Sequence, residues 1–424
     1  VQVAITPSDF ASAIASLGPF EAMPRLAAGV SGGPDSMALA LLADAWARAL
    51  GGSLLAFIVD HGLREASATE AAESAARLMR RSIPARVLTI RGLVLGPALA
   101  ERARAARLRA LTEACAAEGI LHLLLGHHAL DQAETVLIRT LGGSGPAGLA
   151  GIAALVETTS VRILRPLLGV PPEQLRATLT AAAMEWIEDP SNVDATALRP
   201  RLRLARRDRG GHGSATVALA AAAAAAARQR ADADRKAAWC LADRAELHPE
   251  GYCLLSGCSP GAEPGIDPRA LAALLQAISG APFPPPTASV ASLAAQPRPA
   301  TLAGVRLMAA GRLGQGLLVL REAAAMAPPV AAVPGAVWDS RFRLQADALV
   351  PTGGVLGALG ADAARLRHAS PLPAAVLRTL PVVRLDGQLL AVPHLMYPDT
   401  QSCERIPLVF SPPIPAAAAP FLGL

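Results

Sequence analysis

Six residues of this 424-residue chain, Ser31-Gly32-Gly33-Pro34-Asp35-Ser36, combine the features of an anion site. Two adjacent glycines let the backbone approach an anion closely and take positive φ. Their N–H groups, with those of a helix start predicted just behind them, point at the anion. Ser31 and Ser36 add hydroxyl donors. Asp35 is the odd member, because a carboxylate beside a phosphate repels it unless a cation sits between them. That favours a nucleotide bound with Mg2+. Alone, the hexapeptide reads equally well as a glycine turn capping a helix.

The loop is not of the Walker type, since no lysine follows the glycines. S-G-G-x-D-S instead resembles the pyrophosphate loop of the N-type ATP pyrophosphatases. That resemblance implies activation of a carbonyl-like oxygen as its adenylate, with release of pyrophosphate.

Other titratable residues gather at the ends of apolar runs. Leu54 to Asp60 leads into His61-Gly62-Leu63-Arg64, and Leu121 to Gly126 leads into His127-His128-Ala129-Leu130-Asp131-Gln132-Ala133-Glu134-Thr135. Gly142-Gly143-Ser144-Gly145-Pro146-Ala147-Gly148-Leu149 follows. In an open parallel sheet the strand ends form one crevice, and ligands bind there. The elements that would place these residues alternate. Strands are predicted over 26–30, 54–60, 85–91, 121–126 and 161–165, and helices over 35–50, 67–81, 98–118, 130–141 and 171–184. This is the pattern of an α/β fold with a doubly wound, Rossmann-like parallel sheet.

Composition bounds the partners. The net charge of +5 is modest, and Lys236 is the single lysine, so the arrangement of arginines matters more than their number. Arg199, Arg201, Arg203, Arg206, Arg207 and Arg209 crowd one short segment. Such a cluster neutralises phosphates and predicts a polyanionic partner. The five cysteines include no C-x-x-C pair, which disfavours a disulfide framework or a zinc ribbon and suits a reducing cytoplasm. Residues 1–20 lack the basic start and apolar core of a secretory signal. The longest alanine-rich run, Val217 to Ala227, is far below the ~20 apolar residues of a membrane span, so no membrane is expected.

Residues 214–247 read as a long alanine-rich helix after a hinge at Gly210 to Ser214. Beyond it, Leu302 to Met308 and Gly316 to Arg321 read as two strands, and Asp386-Gly387 between apolar runs signals a hairpin. The expected domains are 1–213 for nucleotide binding and catalysis, 214–327 as a helical linker and middle domain, and 328–424 as a smaller α+β domain suited to that polyanionic partner.

The first ~210 residues resemble the tRNA(Ile)-lysidine synthetases in motif order and spacing. The matching pieces are Ser31 to Ser36, Val59 to Arg64, Ala103-Arg104 with Arg107, and His127-His128 through Thr135. Gly143-Ser144-Gly145 with Gly148-Leu149, Arg165-Pro166-Leu167, and Trp186 to Asp189 with Ser191-Asn192 complete the series. Trp338 to Leu344, Leu380-Pro381 and Ala391-Val392-Pro393 extend the likeness more weakly. Three positions depart from the family pattern. Leu130 replaces the first of two aspartates, Leu108 a tyrosine, and Pro200 an asparagine.

The resemblance implies that ATP adenylates the oxygen on carbon 2 of the wobble cytidine in tRNA(Ile) with a CAU anticodon. The ε-amine of free L-lysine then displaces AMP. It implies that Ser31, Gly32, Gly33, Pro34 and Ser36 cradle the ATP phosphates, with Asp35 catalytic and holding Mg2+. Asp60 and His128 join the nucleotide site, although Asp60 also reads as a plain turn aspartate and only one of His127 and His128 is expected to reach it. Asp131 and Glu134 lie three apart on one helix face and would bind the lysine, with Asp131 also able to serve the metal. Arg104, Arg107, Arg199, Arg201 and Arg203 are the tRNA candidates. A cytidine 2-thiolation enzyme and a non-catalytic tRNA-binding protein are the alternatives, and a homodimer is left open.

Overall fold

The first strand already explains where a site can form. β1 (Arg25–Val30) is a run of small and branched apolar residues whose alternate side chains serve two different cores. Leu26, Ala28 and Val30 join one core, whereas Ala27 joins the other. A strand buried on both faces belongs at the centre of a parallel sheet. The computed structural model describes residues 3–62, 66–93, 96, 99–144, 146–158, 160–188, 201–202, 208, 210–257, 265–368 and 370–416.

Contacts divide the chain into two units, residues 1–231 and 232–419. In the first, α1 (Pro7–Ala15) precedes β1 and was not expected from the sequence. It is started by a capping box between Thr6 and Asp9 with Pro7 at its first position. Then follow α2 (Pro34–Ala49), β2 (Ser53–Asp60), α3 (Ser67–Arg80), β3 (Ala85–Thr89), α4 (Leu99–Ala117), β4 (His122–Leu125) and α5 (Ala129–Leu141). The short α6 (Pro146–Leu149), β5 (Leu155–Glu157), β6 (Arg162–Leu164) and α7 (Pro172–Ala181) complete the set.

The six strands lie in the order β3-β2-β1-β4-β6-β5. All neighbours are parallel except β5, which runs antiparallel to β6 at the edge. The predicted α/β fold with a doubly wound sheet is thus observed. Helices cover both faces: Met37 and Leu39 of α2, Leu78 of α3 and Leu175 of α7 pack on one. Leu111 and Cys115 of α4 pack with Phe57 and Ile163 on the other. Full burial of a side chain such as Phe57 or Leu39 contributes about 1.5–3 kcal/mol. Because the chain leaves β1 for β2 on one side and β4 enters on the other, the crevice opens at the carboxyl ends of β1 and β4.

The helix α8 (Ser214–Arg244) contains the division between the units, and the expected boundary at 213 falls at its start. The expected hinge is a tied turn in which the Asp208 carboxylate accepts from the Gly211, His212 and Gly213 amides. In the second unit a five-stranded antiparallel sheet has the order β7-β8-β11-β10-β9. Its strands are β7 (Ala245–Leu247), β8 (Tyr252–Leu255), β9 (Ala300–Leu302), β10 (Val305–Ala309) and β11 (Leu317–Arg321). The run expected as one strand over 302–308 is broken, because Ala303 and Gly304 both adopt left-handed φ, 51° and 73°, and turn the chain from β9 into β10. Two smaller sheets of four and three strands follow. The hairpin at Asp386-Gly387 forms as its turn chemistry predicts, with φ of 50° and 78°.

Candidate nucleotide site

The loop 31–36 leaves β1 and becomes the first turn of α2. Gly32 has φ +82°, and a Cβ there would collide with the Ser74 hydroxyl of α3. The Gly32 carbonyl accepts from the Ile187 amide at 2.9 Å, so the segment after α7 lies against the loop. Gly33 is the N-cap of α2 and makes no side-chain cap, with Pro34 at the first helical position. The free N–H groups of that turn make an anion site. The Ser36 hydroxyl accepts from the Ser31 amide at 3.1 Å and donates to the Gly33 carbonyl at 3.0 Å, holding the loop closed on itself.

A second strand end meets this turn. Gly126, after β4, lies so close that a Cβ on it would stand 3.1 Å from the Ser36 nitrogen and the Asp35 carbonyl oxygen. His128 then forms the N-cap of α5. Its Nε2 lies 3.5 Å from Asp35 Oδ2 and 3.6 Å from Asp131 Oδ2. Asp131 Oδ2 also accepts from the His128 amide at 3.1 Å. The structure therefore brings Ser31, Asp35, Ser36, His128 and Asp131 together at one crevice. Glu134 follows on the same face of α5 and is fully buried.

The remaining sequence candidates have separate surroundings. Asp60, at the end of β2, accepts from the Gly62 amide at 2.9 Å and from the Ser67 hydroxyl. These bonds, the hydroxyl first, hold its carboxyl below the usual range. It therefore has the turn role in addition to its position at the sheet's carboxyl edge. Arg104 is exposed on α4 and Arg107 is half-buried. Burial and then the charge of Arg104 lower the Arg107 pKa. Arg201 is exposed, whereas Arg199 and Arg203 lie outside the described residues.

Several residues at the site carried no role in the sequence reading. Arg165 follows β6 at the same sheet edge and is buried, with its pKa brought down to about 10 by burial and then by Arg104. His127 is lowered to about 4, first by burial and then by Arg165, Arg104 and Arg107, against an opposing pull from Asp131. Gathering at strand ends had already marked His127 as an open candidate, whereas Arg165 stood only in a family-matching segment. Ser74 and Ile187 touch the loop only through tertiary packing. Gln132, inside the acidic motif, is structural: it bonds the Ile152 carbonyl at 3.0 Å and amide at 2.6 Å.

The donor set fits a nucleotide–metal pair. Asp35 Oδ1 is buried without a hydrogen-bond partner among the described residues. Among those residues no three His, Cys, Asp or Glu side chains form a metal cage. Mg2+ needs none when one or two carboxylates act with substrate phosphates.

A PP-loop domain model matches residues 8–206. Over 182 residues the chain is 45% identical to the tRNA(Ile)-lysidine synthase of Bradyrhizobium diazoefficiens, covering 42% of this chain and 50% of that protein. It is 43% identical over 186 residues to the same enzyme of Rhodopseudomonas palustris, covering 43% and 54%. These matches span about half the length of those two relatives. The Mesorhizobium japonicum tRNA(Ile)-lysidine synthase is 35% identical over 423 residues, covering 93% of this chain and 88% of the relative. The chain belongs to the tRNA(Ile)-lysidine synthase family. Family membership extends through the second unit, where the sequence likeness was weaker. There the Trp338 to Leu344 segment carries a buried network: Arg341 and Arg321 both donate to Asp339, at 2.7 and 3.1 Å to Oδ2. No helix among the described residues is long and apolar enough to cross a membrane.

Proposed function

We propose that the protein ligates L-lysine to carbon 2 of the wobble cytidine of tRNA(Ile) with a CAU anticodon, in the cytoplasm. The observation that carries this reading is the meeting of the Ser31–Ser36 loop with His128 and Asp131 at one strand-end crevice. A phosphate cradle and a pair of carboxylates on α5 then face one reaction. The loop amides and the Ser31 hydroxyl bind the ATP phosphates. Asp35, with Asp131 beside it, would hold Mg2+, which neutralises charge on the phosphates when bound.

The cytidine oxygen attacks the α-phosphorus of ATP, and pyrophosphate leaves. The lysine ε-amine then attacks carbon 2, and AMP leaves with the oxygen. Asp131 and Glu134 hold the ammonium and take the proton it must lose before attack. Arg104 and Arg107 on α4, and the arginines of 199–203, supply contacts to tRNA phosphates. The second unit, with the 214–327 and 328–424 segments, offers further tRNA surface.

Sulfur transfer finds less support. Cys115 is the single cysteine before residue 232, is fully buried, and has its pKa pushed up to about 12 by burial. Such a thiol is a poor nucleophile. The test is ATP-dependent incorporation of labelled lysine into a tRNA(Ile) transcript with a CAU anticodon. Incorporation with stoichiometric AMP and pyrophosphate is expected. Pyrophosphate release that is indifferent to lysine and yields a thiolated base would refute the reading.

A further inference from the structure

The Gly32–Gly33 peptide is the softest joint of the phosphate loop. It is trans, with φ of +82° at Gly32 and −72° at Gly33. In a trans peptide the carbonyl and the following amide point in opposite directions. Offering the Gly33 N–H to a phosphate therefore requires the Gly32 carbonyl to point the other way. A half-turn of this peptide would reverse both groups and present a carbonyl oxygen to the anion. Such a flip takes φ of Gly33 to positive values, which most residues resist and glycine adopts freely. Two adjacent glycines thus leave the orientation of the amide to be set from outside the loop.

One hydrogen bond sets it. The Gly32 carbonyl accepts from the Ile187 amide at 2.9 Å. Ile187 belongs to a strap, residues 182–188, that follows α7 and is anchored at both ends. At its start Ala183 turns the chain with a left-handed φ of 47°, and Met184 is buried in the core that also holds Leu39. The Arg81 guanidinium, at the end of α3, donates to the Ala182 carbonyl and, at 2.8 Å, to that of Ala183. At its far end Glu188 accepts from the Trp186 indole at 2.8 Å and from the Arg176 guanidinium of α7. Between these anchors Ile187 Cδ1 would stand only 3.2 Å from a Cβ on Gly32, so its side chain closes over the same peptide. We infer that the strap locks the phosphate loop: the Ile187 amide holds the Gly32–Gly33 peptide in the orientation that offers the Gly33 N–H to the ATP phosphates. Ile187 is then a positioning residue, acting on the nucleotide through Gly32. The inference rests on the nucleotide reading of the loop given above.

The test compares ATP with adenosine, which has the base and ribose and lacks the phosphates. Dissociation constants for adenosine and for ATP with Mg2+ are measured by calorimetry on the full-length protein, with thermal unfolding in parallel. Ile187→Pro removes the N–H and keeps apolar bulk. It should weaken ATP by about tenfold, the scale of one hydrogen bond, and leave adenosine within about twofold. Ile187→Val, which keeps the N–H and most of the side chain, should restore the wild-type ratio. If the proline variant does not fold, Arg81→Ala serves. It frees the start of the strap and should lower the ATP-over-adenosine preference by a few fold, with Arg81→Lys restoring most of it. Equal weakening of both ligands, or an unchanged ratio in the folded variant, would overturn the inference. A wild-type protein that binds ATP no better than adenosine would instead refute the phosphate cradle, and the lock with it.

Discussion

The His128 imidazole and the Asp35 carboxylate face each other 3.5 Å apart, although they leave different strands of the sheet. The contact exists because β1 and β4 are neighbours and Gly126 lets the second strand end close onto the first turn of α2. It ties the phosphate loop to the helix that carries Asp131 and Glu134. In the proposed reaction, ATP activation and amine delivery would then share one rigid support.

Asp35→Asn should lower tRNA-dependent pyrophosphate release by about two orders of magnitude, as expected for loss of a group acting on charge at the reacting phosphate. The fold should persist, since Asp35 Oδ1 makes no hydrogen bond among the described residues. Calorimetry alongside the rate measurement checks both halves. Unchanged turnover would make Asp35 a helix-start carboxylate only.

Glu134→Gln should separate the two half-reactions. The KM for lysine is expected to rise by about tenfold or more, because a carboxylate-to-ammonium contact becomes a neutral one. Pyrophosphate release with tRNA alone should fall much less. Parallel loss of both steps would move Glu134 from the amine to the metal or to the architecture of α5.

His127 makes a pH prediction. Burial lowers its pKa from 6.5 to about 4 in the folded protein. Between those values the unfolded chain binds the proton and the folded one does not, so stability falls as pH drops through that window. The contribution lost by pH 5 is about 2 kcal/mol. Denaturant titrations at pH 7 and pH 5 should show a smaller drop for His127→Gln than for wild type. Equal drops would mean that the ring is not held neutral.

The nucleotide loop was legible in the sequence because its parts are contiguous. Two glycines, two serines and an aspartate behind a short apolar run specify a turn before any packing is known. The strand ends at Asp60 and His127 were legible for the same reason, and the five strands expected in the first unit match observed ones to within two residues at either end, whereas β5 was not expected. Arg165, Ser74 and Ile187 were not, because their places depend on sheet order and on helix packing. Asp131 was expected on a helix over 130–141, but its bond to the His128 amide needs the actual start of α5. In the second unit the Asp386-Gly387 turn announced itself, whereas the Ala303-Gly304 break did not, since alanine at φ 51° defies local preference.

Asp339→Ala should destabilise the second unit by about 3–5 kcal/mol, because Arg341 would be left charged and buried with no carboxylate. Burial already brings the Arg341 pKa down to about 10. Hydrogen exchange should show protection lost in residues 245–410 and retained in α2 and β1. A loss of protection confined to Asp339 and its immediate neighbours would contradict this.

The proposed reaction joins lysine to the wobble base. Nucleoside mass spectrometry of tRNA(Ile) with a CAU anticodon, after reaction with ATP, Mg2+ and isotopically labelled lysine, tests it most directly. The wobble cytidine should be replaced by a nucleoside carrying the lysine label, with the other cytidines untouched. An unmodified wobble cytidine, or label found at any other position, would contradict it.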